Sequence, residues 1–272
     1  MQVHVVLPNE SVDVEPQVIA ALAQRAEGLG YGGVWLPDHL LPPVAYGTTY
    51  GGVYEPLVTL SYIAATTSRI GLGTSVLLLA LRNPFAVAKQ AATLDRLSQG
   101  RFTLGVGLGW DRDEFAAVGA DFGDRAARTD EAIALLRHLF RAGSGPFAGE
   151  RFGFEAGVFA PPPSERLRIM VGGTSGAALR RAARVADVWQ SPPLAPEAFA
   201  DLAARLRSQA GTDRTIEVGA RAEWPGPEVS VGAVTDQVRQ YEAAGADHVA
   251  VWFGPVDGFD DRMTALARAL EA

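Results

Sequence analysis

The chain has 272 residues, of which 48% are hydrophobic, so it is long enough to bury the core of one large α/β domain spanning residues 1–272. Its net charge of −7 argues against a nucleic-acid-binding surface, and the absence of cysteine excludes disulfides, thiolate nucleophiles and cysteine metal sites. The longest apolar runs, such as 76–81, are far shorter than the roughly 20 residues of a membrane helix, so we expect no membrane partner.

Short apolar or β-branched runs alternate with longer stretches of helical pattern along the chain. The opening MQVHVVLP is typical of a strand and not of a signal peptide, so we expect a cytoplasmic protein. The predicted strands are His4–Leu7, Gly33–Leu36, Ile70–Leu77, Arg101–Val106, Ile169–Val171, Val188–Gln190, Ile216–Ala220 and His248–Trp252. Eight strands alternating with helices predict an α/β fold, a single parallel (β/α)8 TIM barrel, with a doubly wound sheet as the alternative.

The segment Pro37–Tyr54 follows the second strand and is longer than a barrel connection requires. It starts where barrel active sites lie, so it is either a mobile lid or an ordered surface loop. Asp38 and His39 open this segment. His39 is the best candidate for a catalytic general acid or base, because imidazole exchanges protons near neutral pH. The alternatives for His39 are a structural hydrogen bond or a role in holding a cofactor ring.

Small residues end the third strand, and a helix follows it closely. Ser75 and Val76 are candidates for an outward bulge that supports a ring, and the alternative is a regular strand end. Asn83 and Pro84 predict the start of the next helix, and Gly100 predicts its end. This βαβ unit is the firmest prediction of local structure.

The fourth strand runs into the turn GVGLGW at Gly105–Trp110, whose glycines leave room for something flat to lie against the backbone. The charged residues after the turn are explained most simply by ion pairs across one face, and the alternative is contact of one arginine with substrate or cofactor. These residues are Asp111, Glu114, Arg125, Arg128 and Glu131.

The turn after the fifth strand, Gly172–Gly176, predicts an anion site. Backbone N–H groups and a helix dipole converge there, and Thr174 or Ser175 adds a hydroxyl to the bare main chain of the glycines. A tight turn with an ordinary N-cap is the alternative. Lys89, the one lysine, falls on a helix, which argues against a Schiff-base aldolase. No set of His, Asp and Glu has metal-ligand spacing, so we expect no metal, and His4, His138 and His248 are expected to be structural.

Four segments together resemble the luciferase-like monooxygenase superfamily over most of the chain. They are WLPDHLLP at Trp35–Pro42, the stretch Leu72–Phe102, GVGLGW, and IMVGGTSGAALRRAARVADVWQSP at Ile169–Pro192. Within the superfamily the chain most resembles the short actinobacterial branch that uses the deazaflavin coenzyme F420. FMN-using members share the barrel and many of these motifs, so the resemblance leaves FMN as the alternative cofactor.

The resemblance also implies positions for a bound cofactor. Asp38 and His39 would lie near the ring, Ser75 and Val76 would form the bulge behind it, and Gly107 and Gly109 would border it. The phosphate cradle would consist of Gly172, Gly173, Thr174, Ser175 and Gly176, with Gln190 and Ser191 as further candidates at the next strand end. Trp110 stands where the sugar-phosphate dehydrogenase branch has an acidic proton donor, so that branch's reaction is not carried over. The light-emitting luciferases of the superfamily have a thiol near the flavin, and this chain has no cysteine, so we do not expect bioluminescence.

The resulting hypothesis is an oxidoreductase that moves a hydride between coenzyme F420 and a small organic substrate, with the dimeric assembly that is frequent in the family. The first alternative is a monooxygenase that uses reduced FMN supplied by a separate reductase. The second is a barrel that binds a flavin or a phosphate ligand without catalysis.

Overall fold

The computed structural model describes residues 1–10, 14–43, 53–142, 145–165, 167–212 and 214–271. The strands in this part of the chain are β1 (Gln2–Val6), β2 (Gly33–Leu36), β3 (Gly71–Thr74), β4 (Leu77–Leu78), β5 (Phe102–Gly107), β6 (Arg168–Gly172), β7 (Val188–Pro193), β8 (Glu217–Glu223) and β9 (His248–Trp252). The α-helices are α1 (Pro16–Gly28), α2 (Pro56–Thr66), α3 (Pro84–Leu97), α4 (Arg112–Ala117), α5 (Arg125–Ala142), α6 (Gly176–Val185), α7 (Pro196–Ala210), α8 (Val231–Ala243) and α9 (Phe259–Glu271). Every predicted strand is present, with ends shifted by a few residues.

The strands form one closed parallel sheet. The order is β3-β2-β1-β9-β8-β7-β6-β5-β4, and β3 also pairs with β5, which closes the ring. The third predicted strand is divided, because β3 pairs with the start of β5 and β4 pairs with its end. Between the two pieces lies the Ser75-Val76 peptide bond, which is cis. The predicted TIM barrel is therefore confirmed, and a doubly wound sheet is excluded by the closure.

Side chains that alternate along the strands build two separate cores. On β1, Val5 packs outward into the large core beneath the helices, whereas Val6 faces an inner cluster with Trp35, Met170 and Val188. The inner core also holds the stacked rings of His4 and His248, whose centroids are 4.7 Å apart. The interior of the barrel is therefore partly polar.

The predicted punctuation of α3 is confirmed. Asn83 Oδ1 accepts hydrogen bonds from the backbone of Phe85 and Ala86 at 2.9 and 3.3 Å, and Pro84 is the first helical residue. After the helix, Gly100 takes a φ of +81°, and its N–H returns to the Asp95 carbonyl. Among the described helices, none combines the length and the apolar character needed to cross a membrane.

Candidate active site

A cleft of about 480 Å³ opens at the carboxyl ends of strands β3 to β8. It brings together most of the residues that the sequence predicted for a cofactor site: Ser75, Val76, Gly107, Gly109, Gly172, Gly173, Thr174, Ser175, Gln190 and Ser191. Leu108, Trp110, Ala178, Pro192 and Arg221 complete its wall. The predicted residues were scattered over 117 positions of sequence, counted from 75 to 191, and the barrel gathers them at one mouth.

The Ser75-Val76 segment protrudes toward the ends of β5 and β6. A Cβ on Gly107 would lie 2.3 Å from Val76 Cγ2, and one on Gly172 would lie 3.1 Å from Val76 Cγ1. Deeper in the barrel, a Cβ on Gly105 would lie 1.9 Å from the Thr74 carbonyl oxygen. The sequence-based reason for these glycines was therefore incomplete, because the space they leave is filled first by the chain's own bulge.

Two polar side chains close the inner end of the cleft. Ser75 Oγ lies 2.5 Å from Gln190 Oε1, to which it donates, and both residues are buried. The neighbouring Ser191 is 1% exposed, and no described group hydrogen-bonds its Oγ. A buried hydroxyl beside a cleft, with no partner among the described residues, is a ready hydrogen-bonding group for a ligand.

The segment that leads into the N-terminus of α6 forms another part of the cleft wall. Ser175 is the N-cap of this helix, and its side chain accepts from Ala178 N at 3.1 Å. Gly173 has a φ of +108°, a conformation that favours glycine, and its carbonyl accepts from Trp189 Nε1 at 2.8 Å. Gly176 is the first helical residue and does not line the cleft wall. The remaining first-turn N–H groups have no intrahelical acceptor and carry the positive end of the helix dipole.

An arginine that was not predicted for the site lies beside this helix end. The Arg180 guanidinium lies next to Gly176, 3.4 Å from the point that a Cβ would occupy. Arg180 is one helical turn after Gly176, so the (i, i+4) spacing was the available signal. A cation at this position adds to the attraction that the α6 N-terminus exerts on an anion.

His39 is not among the residues that line the cleft, but it contacts the cleft residue Trp110, and a buried carboxylate orients its ring. His39 Nδ1 is 3.0 Å from Glu114 Oε2, and Glu114 Oε1 accepts from the backbone N–H groups of Leu40 and Leu41 at 2.6 and 2.9 Å. Burial opposes ionisation of Glu114, but the hydrogen bonds from His39 and these two N–H groups lower its pKa below the usual value. The His39 ring also meets the cleft residue Trp110 edge to face, with centroids 5.8 Å apart. The ionised carboxylate therefore fixes the protonated nitrogen of His39 as Nδ1.

Asp38 is placed differently from its neighbour. Its buried carboxylate accepts from Leu78 N at 2.8 Å and pairs with Arg82 Nη2 at 2.7 Å, while Arg82 also binds Glu55. Asp38 does not line the cleft. In this structure it ties the end of β2 to β4 and so supports the bulge from behind, and its predicted contact with a cofactor stays a prediction.

Two further charged residues near the barrel mouth escaped sequence analysis. Arg221, on β8, lines the cleft, and its Nη1 lies 3.5 Å from the Ser75 carbonyl oxygen. Glu10 is 7% exposed and accepts from Trp252 Nε1 at 2.7 Å. Burial raises the pKa of Glu10, although its hydrogen bonds and the charge of Arg221 act in the opposite direction. The spacing of these two residues gave no signal, because Glu10 follows β1 in a turn and Arg221 is one of three charged residues on β8.

The predicted ion pairing among the charges after the glycine turn is wrong. Arg128 Nε donates to the Ala80 carbonyl, Glu131 pairs with Arg151, and Arg125 stacks 3.6 Å from the ring centroid of Phe122. Arg128 and Glu131 bind residues distant in sequence, and Arg125 stacks on a ring three residues before it, so these charges do not pair with one another. The predicted lid cannot be compared in full, since residues 44–52 of Pro37–Tyr54 lie outside the described residues.

Comparison with known sequences identifies relatives of this chain. A family model described as luciferase-like monooxygenase matches residues 1–223. An uncharacterized protein of Mycobacterium tuberculosis is 32% identical over 249 residues, which cover 85% of this chain and 83% of that protein. A protein of Kineococcus radiotolerans named F420-dependent glucose-6-phosphate dehydrogenase is 34% identical over 217 residues, which cover 75% of this chain and 63% of the relative.

Solved structures show the same fold at lower sequence identity. An F420-dependent secondary alcohol dehydrogenase, in complex with an F420-acetone adduct, has a TM-score of 0.84 and 17% identity, with 99% of this chain and 98% of that chain covered. A monooxygenase from Streptomyces bottropensis also has a TM-score of 0.84, with 21% identity and coverage of 100% and 99%. At these identities the comparison concerns the fold alone.

Proposed function

The chain belongs to the luciferase-like monooxygenase family, and we propose that it is an oxidoreductase that transfers a hydride between coenzyme F420 and a small organic substrate. The observation that carries the proposal is a single cleft that joins a bulged, glycine-bordered wall to an anion-attracting helix N-terminus. A relative named for F420 dependence supports the choice of cofactor.

The described residues fit a flat, phosphate-bearing group. Ser191 offers a buried hydroxyl without a described partner, and the cleft volume of about 480 Å³ lies in the range of small-molecule sites. The α6 N-terminus, with Gly172, Gly173, Thr174, Ser175 and Gly176, would hold the phosphate. Ser75, Val76, Gly107 and Gly109 would support and border the ring, with Gln190 at its inner edge and Asp38 close behind.

When bound, a deazaflavin supplies or accepts the hydride. The proton that accompanies hydride transfer to or from a carbonyl or hydroxyl group would be handled by His39. Glu114 accepts a hydrogen bond from His39 Nδ1, so Nε2 is the nitrogen that would exchange a proton with substrate. Trp110 and Arg221 would shape the substrate side, the first through its exposed ring and the second through its charge.

A second candidate is a monooxygenase that uses reduced FMN from a separate reductase. The observation in its favour is the match to the luciferase-like monooxygenase family model, and the equal TM-scores of the two solved structures do not separate the candidates. An anion site at a helix end accepts the phosphate of either cofactor.

The experiment is a parallel fluorescence titration of the purified protein with coenzyme F420 and with FMN, each oxidised and reduced, under nitrogen. Saturable binding of the deazaflavin alone supports hydride transfer and justifies a substrate screen by loss of its absorbance. Preference for reduced FMN, followed by oxygen consumption, moves the protein to the monooxygenase class. Binding of neither contradicts both candidates, and tight binding without turnover of any substrate favours a non-catalytic barrel.

Two expectations about context stay predictions. The family resemblance predicts a homodimer, which light scattering on a sizing column measures directly. A cytoplasmic location is checked by fractionating the cells that produce the protein.

A further inference from the structure

A line of hydrogen-bonded polar side chains crosses the barrel interior and ends at the cleft. Ser75 Oγ lies 2.5 Å from Gln190 Oε1, Gln190 Nε2 lies 3.2 Å from His248 Nε2, and His248 Nδ1 lies 2.9 Å from Glu217 Oε1. Arg168 pairs with the other oxygen of Glu217 near the amino ends of the strands. We call Ser75, Gln190, His248, Glu217 and Arg168 the polar column. An interior of this kind requires an explanation, because buried polar groups cost free energy unless every partner is satisfied.

The lower end of the polar column fixes the tautomer of His248. Hydrogen bonding from His248, together with the nearby charge of Arg168, lowers the pKa of Glu217 to about 2 against the effect of burial. Glu217 is therefore an ionised acceptor at any pH near neutrality. His248, which is 1% exposed, must then carry a proton on Nδ1.

The tautomer of His248 in turn sets the direction of the hydrogen bonds at the Ser75 end of the polar column. The amide nitrogen of Gln190 can only donate, so the His248 Nε2 that faces it must be the unprotonated nitrogen. Gln190 then presents its Oε1 to Ser75, and the single hydroxyl proton of Ser75 is directed to that oxygen. What Ser75 Oγ offers to the cleft is therefore a lone pair, an acceptor and not a donor.

Other polar groups beside His248 do not compete for these bonds. Its stacked neighbour His4 accepts from Trp35 Nε1 at 2.9 Å through Nδ1 and contacts Gln2 Oε1 at 3.2 Å through Nε2. Burial holds the pKa of His4 well below its usual value, so this ring stays neutral. The charged groups that face His248 are thus Glu217 from β8 and Arg168 from β6.

We propose that His248 is a positioning residue that acts through Gln190 to hold the Ser75 hydroxyl as a hydrogen-bond acceptor toward a ring N–H of the bound cofactor. The inference rests on the proposed function for the identity of that cofactor, but the direction of the hydrogen bonds is a property of this chain. The polar column would then select ligands that present a donor to the cleft wall.

A matched pair of substitutions separates this role from packing. His248→Gln keeps an acceptor near the Nε2 position, whereas His248→Asn keeps a donor near Nδ1 and leaves Gln190 without its acceptor. Both lose the ring stacking with His4, so both should lower the melting temperature to a similar extent. We expect His248→Asn to weaken deazaflavin or FMN binding about three- to tenfold, which is the scale of one hydrogen bond, and His248→Gln to bind within about twofold of the wild type. Equal affinities in the two variants would overturn the proposal.

A double-mutant cycle tests whether the effect passes through Ser75. Ser75→Ala should weaken binding about as much as His248→Asn, and the double variant should show no additional loss. Additive losses would mean that His248 acts on binding by another route, which contradicts the proposal.

A measurement without ligand keeps the test independent of the proposed function and of variant folding. The side-chain ¹⁵N spectrum of the wild-type protein should show His248 protonated at Nδ1 and unprotonated at Nε2, as the hydrogen bonds to Glu217 and Gln190 require, with assignment from the His248→Gln variant. A ring protonated at Nε2, or at both nitrogens, would overturn the inference whatever the cofactor. Failure of the wild type to bind either cofactor would instead count against the proposed function.

Discussion

At the scale of single residues, the pair His39 and Glu114 shows how a buried carboxylate fixes the orientation of a histidine ring. Glu114 is 1% exposed and accepts three hydrogen bonds, one from the His39 ring and two from backbone N–H groups. Its lowered pKa keeps the carboxylate ionised at neutral pH, so the His39 ring has one orientation and one proton position.

Replacement of His39 by alanine should lower kcat at least a hundredfold with the true substrate, because positioned proton transfer contributes about 10²- to 10⁴-fold. The far-ultraviolet circular dichroism spectrum should be unchanged, since His39 follows β2 in a loop. His138→Ala is the matched control, as His138 lies on α5 and contacts Phe147 away from the cleft. An unchanged kcat in His39→Ala would remove His39 from the mechanism.

Cleft residues that directly follow a strand could be predicted from the sequence, but the residues that hydrogen-bond them could not. His39, Ser75 and Gly172 could be placed because a parallel barrel directs all carboxyl strand ends to one face. Glu114 and Arg221 could not, because their roles depend on contacts across 75 and 146 positions of sequence. His248 was expected to be structural, and only the hydrogen-bond distances connect it to the cleft.

At the scale of elements, the close approach of β5 to the end of β3 requires glycine at position 105. Gly105→Ala should lower the free energy of unfolding by about 2 to 3 kcal/mol, since its Cβ would lie 1.9 Å from the Thr74 carbonyl oxygen and backbone must move. Gly28→Ala is the control. Gly28 ends α1, a Cβ there would have no described atom within 4 Å, and the variant should be neutral or stabilising by up to about 1 kcal/mol. Urea unfolding measures both, and equal stability of the two variants would contradict this account of the glycine.

The N-terminus of α6 supports a second prediction at this scale. Arg180→Gln should weaken binding of a phosphate-bearing cofactor about two- to fivefold at low salt, because a partly solvated charge beside the site is lost. Arg184→Gln, one turn further along the helix, removes a charge paired with Asp130 and should leave affinity unchanged. The difference between the variants should shrink in about 1 M salt, as screening predicts. Equal affinities at low salt would show that the helix end binds without Arg180.

Some helix and strand boundaries could be predicted from local sequence signals, and others could not. Asn83 and Pro84 placed the start of α3, because capping is a local interaction of side chain with backbone. The division of the third strand into β3 and β4 could not be placed with certainty, since it depends on the pairing of each piece with β5. Apolar continuity is the same for a straight strand and for a bulged one.

At the scale of the whole molecule, several carboxylates join elements by accepting backbone N–H groups. Glu27, at the end of α1, accepts from Ser68, Arg69 and Ile70 before β3, at distances of 2.7 to 3.0 Å through Oε2. Burial works against ionisation, but these bonds lower the pKa of Glu27 to about 2. Glu114 and Glu131 also accept backbone N–H groups and have lowered pKa values. A fold joined in this way is expected to lose stability in acid.

The lowered pKa of Glu27 predicts both the direction in which stability changes with pH and the pH range of the change. Because its folded pKa lies below the unfolded value near 4.5, its contribution to stability is fully present above pH 4.5 and is lost as the pH falls toward 2. Glu27→Gln should therefore lower the free energy of unfolding at pH 7 by about 1 to 2 kcal/mol, a range reduced for its partial exposure. The difference from wild type should narrow at about pH 3.5 in urea unfolding. Glu155→Gln, which changes an exposed carboxylate, is the control and should have the stability of the wild type at both pH values. If the loss of stability in Glu27→Gln is the same at both pH values, the charge of Glu27 does not stabilise the contact between α1 and β3.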